Sequence, residues 1–244
     1  MLRKLKNWFH LVESIFWNIY FDFPGRRLRL IGVTGTDGKT TTVSLIYWIL
    51  RESGHKVAKM TTVGSEINGE PYSVSLHTTT PHAKSLQRFL RDTLSRGSKF
   101  AVIEVSSHAI DQNRVWGIPF EIGVLTNVTN NEHLDYHGSF ENYRRTKLGF
   151  ITSCKHQVVG SGSGTGSNKF EYKTRLIGRF NQDNILLAVT ACRILGVSED
   201  KIRLGIETFE APPGRLELII DSPFKVIVDF AHTPGAFEKV LPVA

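Results

Sequence analysis

The sequence predicts an α/β fold: a mostly parallel sheet flanked by helices, with an amphipathic helix ahead of it. Three observations carry this. An apolar run at 28–33 passes through a glycine-punctuated turn into a helix-compatible run at about 40–51. Two more apolar runs, 100–104 and 122–125, end in polar segments, as strands buried on both faces do. Residues 1–25 carry Leu5, Trp8, Phe9, Val12, Ile15, Phe16 and Ile19 at the spacing of one helical face.

The chain has 244 residues, enough to bury a substantial core, and its 41% hydrophobic and 22% charged content is ordinary for a soluble globular protein. A formal charge of +7 raises the question of nucleic acid. The basic residues are scattered, however, with only small pairs at Arg26-Arg27 and Arg144-Arg145, so no nucleic-acid partner is expected. The same excess serves an anionic substrate such as ATP. Cys154 and Cys192 stand apart without metal-ligand spacing, which fits free thiols in a reducing cytoplasm.

The N-terminal pattern is broken by Asn7, His10, Glu13, Ser14 and Asn18, so it is neither a signal peptide nor a membrane span. Its apolar face is expected to pack on the domain. Its aromatic richness beside Lys4 and Lys6 leaves a second reading, a peripheral membrane or partner contact through residues 1–22. Phe23-Pro24-Gly25 marks a boundary, giving a helix at 1–25 and an α/β domain at 26–244.

The turn after the first strand reads Gly35-Thr-Asp-Gly-Lys-Thr-Thr41. Gly35, Thr36, Asp37 and Gly38 form a loop whose backbone N–H groups can turn toward an anion, and the helix that follows adds its positive end. Lys39 would reach the β/γ-phosphates of a nucleotide and the Thr40 hydroxyl would sit on Mg²⁺. The loop is shorter than the common phosphate-loop motif. Residues 57–62 read as a second strand, Asn68-Gly69 as a hairpin turn, and 83–96 as a helix after a Thr-Thr-Thr-Pro cluster that offers hydroxyls to a polar ligand. The strand at 100–104 delivers Glu104, Ser106, Ser107 and His108 at its carboxyl end, where ligands bind open parallel sheets. A carboxylate there needs a partner, which is either a magnesium ion or a structural hydrogen bond. His133, Asp135 and His137 follow the strand at 122–125, and Lys147 lies in a helical pattern at 140–150.

These segments resemble the Mur ligases. The resemblance rests on the loop at 35–41, Thr78-Thr-Thr-Pro81, Glu104-Val-Ser-Ser-His-Ala-Ile-Asp-Gln-Asn-Arg114, His133-Leu-Asp-Tyr-His-Gly138 and Tyr143-Arg-Arg-Thr-Lys147. It continues in Gly178-Arg-Phe-Asn-Gln-Asp-Asn184, Pro213-Gly-Arg-Leu-Glu217 and Asp229-Phe-Ala-His-Thr-Pro234. The branch most resembled adds the third amino acid, diaminopimelate or lysine, to UDP-N-acetylmuramoyl-dipeptide during peptidoglycan synthesis. The resemblance implies an ATP-dependent, cytoplasmic carboxylate–amine ligase acting through an acyl phosphate. It implies Lys39, Thr40 and Thr41 on phosphates and Mg²⁺, Glu104 and His133 linked to the metal, and Lys147 as a carbamylated metal ligand or a direct phosphate contact. It further implies Thr79, Thr80, Ser106, Gln112 and Arg114 on the muramoyl-peptide, and Asn181, Arg215, Asp229 and His232 around ATP. Asp37 stands where the family usually has asparagine, which places a negative charge near the phosphates.

Departures from the family shape the expectation. About 27 residues precede the first strand, too few for the uridine-nucleotide domain of these ligases, and the sequence given stops at Ala244, where their C-terminal domain follows. Residues 160–167 contain only Gly, Ser and Thr, the composition of a flexible linker, and point to an excision within the central domain. The chain is therefore expected to bind Mg-ATP without completing ligation alone. Alternatives are a ligase of the folylpolyglutamate or cyanophycin type, or a non-catalytic scaffold that keeps the ATP fold.

Overall fold

The computed structural model describes residues 2–74, 79–129, 134–160, 171–232 and 234–243. His133, and all but Gly160 of the Gly/Ser-rich segment at 160–167, lie outside the described residues. Helix α1 (Leu2–Tyr20) ends where Asp22 and Phe23 take left-handed backbone conformations, and a 3₁₀ turn at Pro24–Arg27 leads into strand β1 (Arg29–Thr34). Helix α2 (Lys39–Glu52), strand β2 (Val57–Thr61) and the hairpin of β3 (Gly64–Ile67) and β4 (Glu70–Tyr72) follow. Helix α3 (Ala83–Ser95), strand β5 (Phe100–Glu104), the short helix α4 (Ser107–Asp111) and strand β6 (Ile122–Leu125) come next. After them stand α5 (Leu134–His137), α6 (Phe140–Ser153), β7 (His156–Val159), α7 (Arg179–Ile194) and α8 (Glu199–Thr208). A small antiparallel pair, β8 (Glu217–Ile220) and β9 (Val226–Val228), and helix α9 (Pro234–Val240) complete the elements.

The main sheet has seven strands in the order β4-β3-β2-β5-β1-β6-β7. Strands β2, β5, β1, β6 and β7 run parallel, and the β2–β3 and β3–β4 pairs at the edge are antiparallel. Alternate residues of the central strands feed two cores, since both faces of a parallel sheet are covered. Ile31, Val33 and Val102 join α2, α7 and α8 on one side, whereas Leu30, Ala101 and Ile103 join α3 and α6 on the other. Strand β1 lies between β5 and β6, so the loops leaving the carboxyl ends of these three strands converge at one edge.

The packing of α1 reverses the sequence expectation. Its buried row is polar: His10 is 8% exposed, Ser14 1% and Asn18 2%, while Leu5, Trp8, Phe9, Val12, Phe16 and Ile19 face outward and Ile15 is half-buried. The reason is hydrogen bonding. Ser14 Oγ donates to the Asn113 carbonyl at 2.7 Å, Asn18 Nδ2 donates to the Trp116 carbonyl at 2.9 Å, and Asn7 Nδ2 donates to Asp111 Oδ2 at 2.9 Å. The loop beneath α1 presents carbonyls that need donors, and the polar side of the helix supplies them. No described helix is long and apolar enough to cross a membrane.

Candidate functional site

The loop between β1 and α2 is held from below. Thr36 N–H donates to the Asn127 carbonyl at 3.0 Å, Asp37 N–H donates to Asn127 Oδ1 at 3.0 Å, and the Thr126 hydroxyl donates to the Asp37 carbonyl. Tyr143 from α6 places its hydroxyl 3.0 Å from Thr36 Oγ1. Gly38 caps α2 at φ 79°, a left-handed conformation that favours glycine, and offers no side-chain cap to the helix. A Cβ at Gly35 would collide with the Thr126 hydroxyl, and one at Gly38 with the Asn184 amide. The chain is thus pressed into a tight cradle at a helix N-terminus. Such a cradle fits a phosphate.

Side chains add the chemistry. Lys39 Nζ donates to the Thr36 carbonyl at 2.6 Å, and Lys147, only 1% exposed, donates to the Gly35 carbonyl at 2.7 Å. Two ammonium groups therefore lie on one short loop. Glu104 is 2% exposed at the end of β5 and accepts from Thr40 Oγ1 at 2.9 Å, from Thr62 N–H at 3.1 Å and from the Thr62 hydroxyl at 3.1 Å. A buried carboxylate held by neutral donors beside a phosphate cradle fits a hard divalent cation, which takes oxygen ligands. Arg215 reaches the same point, its Nη2 donating to Thr40 Oγ1 at 3.3 Å. Burial pulls the Arg215 guanidinium below its ordinary pKa, and the carboxylates of Glu104, Asp229 and Asp37 oppose that pull.

Two clefts meet here. One, of about 350 Å³, is lined by Thr36 to Thr41, Glu104, Asn181, Arg215, Asp229 and His232. The other, of about 300 Å³, is lined by Gly35, Thr79, Ser106, Ser107, His108, Arg114 and Lys147 together with Lys39. Lys39 and Thr79 line both. Asp229 accepts from Leu216 N–H at 2.8 Å and Ala231 N–H at 2.7 Å, which fixes the loop carrying Phe230 and His232. Asn181 Nδ2 donates to the Ile177 carbonyl at 2.7 Å, and its Oδ1 accepts from Asn184.

Other sequence-selected residues stand behind the walls. Thr80 is fully buried, donates to the Glu104 carbonyl at 2.9 Å and accepts from Ser106 N–H at 2.9 Å, so it pins the threonine-rich turn to the end of β5. Gln112 accepts from Arg114 Nε at 2.9 Å and donates to Tyr136 at 3.1 Å, so it acts as a strut for Arg114. His137 is buried with Nε2 3.1 Å from Ser107 Oγ. Asp135 is exposed.

Sequence reasoning missed Thr126, Asn127, Tyr143 and Lys239. The first three buttress the loop from the end of β6 and from α6; Tyr143 opens the Tyr143-Arg-Arg-Thr-Lys147 motif, but nothing in its spacing shows that its hydroxyl meets Thr36. Lys239 on α9 pairs with Asp37 at 3.0 Å, so the charge carried by this loop is compensated within the chain.

Residues 33–162 match the Mur ligase middle domain. The chain belongs to the Mur ligase family. It is 31% identical over 266 residues to UDP-N-acetylmuramoyl-L-alanyl-D-glutamate–2,6-diaminopimelate ligase 1 of Clostridium acetobutylicum, covering 91% of this chain and 55% of that protein. It is 34% identical over 263 residues to the UDP-N-acetylmuramyl-tripeptide synthetase of Deinococcus radiodurans, covering 89% and 53%. A solved diaminopimelate ligase superposes with a TM-score of 0.71 at 28% identity, over 88% of this chain and 53% of that one. Mycobacterium tuberculosis folylpolyglutamate synthase, solved with ADP and AMPPCP, superposes with a TM-score of 0.77 over 96% and 70%, and its 18% identity speaks for the fold alone. The chain spans about half the length of the curated relatives it matches.

Proposed function

We propose that this segment binds Mg-ATP and a carboxylate substrate and forms the nucleotide-handling part of an ATP-dependent carboxylate–amine ligase. The observation that carries the reading is the junction of the two clefts at Lys39 and Thr79. The loop, Asn181, Arg215, Asp229 and His232 receive the nucleotide on one side. On the other, Ser106 and Arg114 face a carboxylate, for which a guanidinium is suited.

In this reading a carboxylate oxygen attacks the γ-phosphorus, the bond to the β-phosphate oxygen breaks, and ADP leaves. Lys39 neutralises charge on the transferred group, and Arg114, oriented by Gln112 and the Thr80 carbonyl, holds the attacking carboxylate in line. An amine then attacks the acyl carbon, losing a proton, and phosphate departs. Thr40 and Glu104 would hold Mg²⁺, which supplies charge neutralisation for the phosphates. Lys147 serves either as a carbamylated ligand to a second cation or as a direct phosphate contact.

The identity to diaminopimelate-adding ligases supports a UDP-muramoyl-dipeptide as the carboxylate and peptidoglycan synthesis in the cytoplasm as the setting. Because the segment spans about half of those relatives, ligation to an amine is proposed of the ligase class and Mg-ATP binding of this chain. Mixing the chain with Mg-ATP and UDP-muramoyl-dipeptide tests the substrate. Dipeptide-stimulated ADP release supports the reading, and release equal to that without dipeptide contradicts it.

A further inference from the structure

The outward face of α1 is a continuous apolar stripe. Leu5, Trp8, Phe9, Val12, Phe16 and Ile19 recur along it over about 22 Å at 1.5 Å per residue. Trp8 is 62% exposed and Phe9 63%. Scattered apolar side chains on a surface need no explanation, whereas a contiguous aromatic and aliphatic stripe marks an interaction face. The reversed packing makes this face a fixed feature, since the polar row opposite it is tied to the carbonyls of Asn113 and Trp116.

Charge identifies what covers it. The one acidic residue of α1, Glu13, faces the docked side, with Oε2 3.4 Å from His10 Nδ1. Alongside α1, α3 presents Lys84, Arg88 and Arg91 outward. Lys84 Nζ lies 4.8 Å from the Trp17 ring centroid and the Arg91 guanidinium 5.0 Å from that of Phe21. Lys6, Arg26 and Arg27 are exposed at the two ends. Of the carboxylates nearby, Asp22 pairs with Arg27 at 3.1 Å, and Asp92 pairs with Arg91 at 2.7 Å and lies 3.9 Å from Arg88, so the cations outnumber the carboxylates and the border stays cationic. A convex helix face bearing Trp, Phe and Leu, bordered by Lys and Arg, has the composition of a helix that lies in a lipid headgroup layer.

We propose that α1 docks the chain on an anionic lipid surface, lying in the membrane plane with Trp8, Phe9 and Phe16 inserted and the α3 cations on the headgroups. The assignment is independent of the nucleotide chemistry. It is tested by co-sedimenting the full chain with vesicles of phosphatidylcholine alone or mixed with phosphatidylglycerol, while following tryptophan emission. The expected result is at least tenfold tighter association with the anionic vesicles, weakening as salt rises, with a blue shift in emission. Trp8→Glu/Phe16→Glu should abolish association while leaving the far-ultraviolet circular dichroism and thermal midpoint unchanged. Lys84→Glu/Arg88→Glu should lose roughly fivefold or more per cation on anionic vesicles, about what one cation near such a surface contributes. Absence of vesicle association, association indifferent to both variants, or a dimer in sedimentation velocity that Trp8→Glu/Phe16→Glu dissolves without any vesicle binding would overturn the proposal.

Discussion

The Thr40 hydroxyl donates to Glu104 Oε2 at 2.9 Å, tying the first turn of α2 to the carboxyl end of β5. This pair places a hydroxyl oxygen and a carboxylate oxygen side by side at the phosphate cradle. In Glu104→Gln the amide oxygen can still accept from Thr40, so the fold should persist. The loss of the negative charge removes about 1.5–3 kcal/mol, or roughly 13- to 160-fold in Mg-dependent ATP affinity. Calorimetric titration with and without Mg²⁺ checks this. A variant that loses affinity equally in both conditions would move Glu104 out of the metal site.

Asp37 and Lys239 form a partly exposed pair at the cradle's rim. Lys239→Ala leaves the carboxylate uncompensated beside the phosphates, and ATP affinity should fall by roughly fivefold, the scale of an exposed pair. Asp37→Asn/Lys239→Ala should recover most of that loss. A double-mutant cycle in ATP affinity with no coupling would show that the pair does not act on the nucleotide.

Much of this was legible from residue order. Strands β1, β5 and β6 are apolar runs because both sheet faces are covered, and glycines punctuate the turn that becomes the cradle. The orientation of α1 was not legible. Periodicity reports that a helix has an apolar face, but not which face meets the domain, and here the deciding acceptors lie about a hundred residues away in the chain. Thr80 and Gln112 share the chemistry of ligand-binding residues, yet their hydrogen bonds go to Glu104 and Arg114 behind the wall. The Asp37–Lys239 pair joins residues 202 apart, a separation at which no local spacing signals contact.

The inward polar row of α1 makes a counterintuitive prediction. Asn18→Leu would increase the apolar content of the helix, yet it strands the Trp116 carbonyl and places a branched side chain where an amide sits. The protein should lose about 1–3 kcal/mol of stability, read from urea unfolding. A more stable Asn18→Leu variant would mean that the helix does not dock through this row.

Glu121 gives an acid-limb signature. Hydrogen bonds of 2.8 Å from Arg29 hold its carboxyl below the ordinary value of 4.5, with burial opposing them. A folded pKa below the unfolded one means that the stabilisation is present above the unfolded value and is lost as pH falls through the folded value. Glu121→Gln should therefore be less stable than the parent at neutral pH and converge with it in strong acid. Parallel stability curves across that range would exclude the linkage.

Under the proposed function, the loop at 35–40 binds the phosphates of Mg-ATP through Lys39. Isothermal titration of Mg-ATP into the chain and into Lys39→Ala tests it most directly. Saturable one-site binding that weakens by at least tenfold in Lys39→Ala, with an unchanged thermal midpoint in the absence of nucleotide, is the predicted result. No Mg-ATP binding by the parent chain, or equal affinity in both proteins, would contradict it.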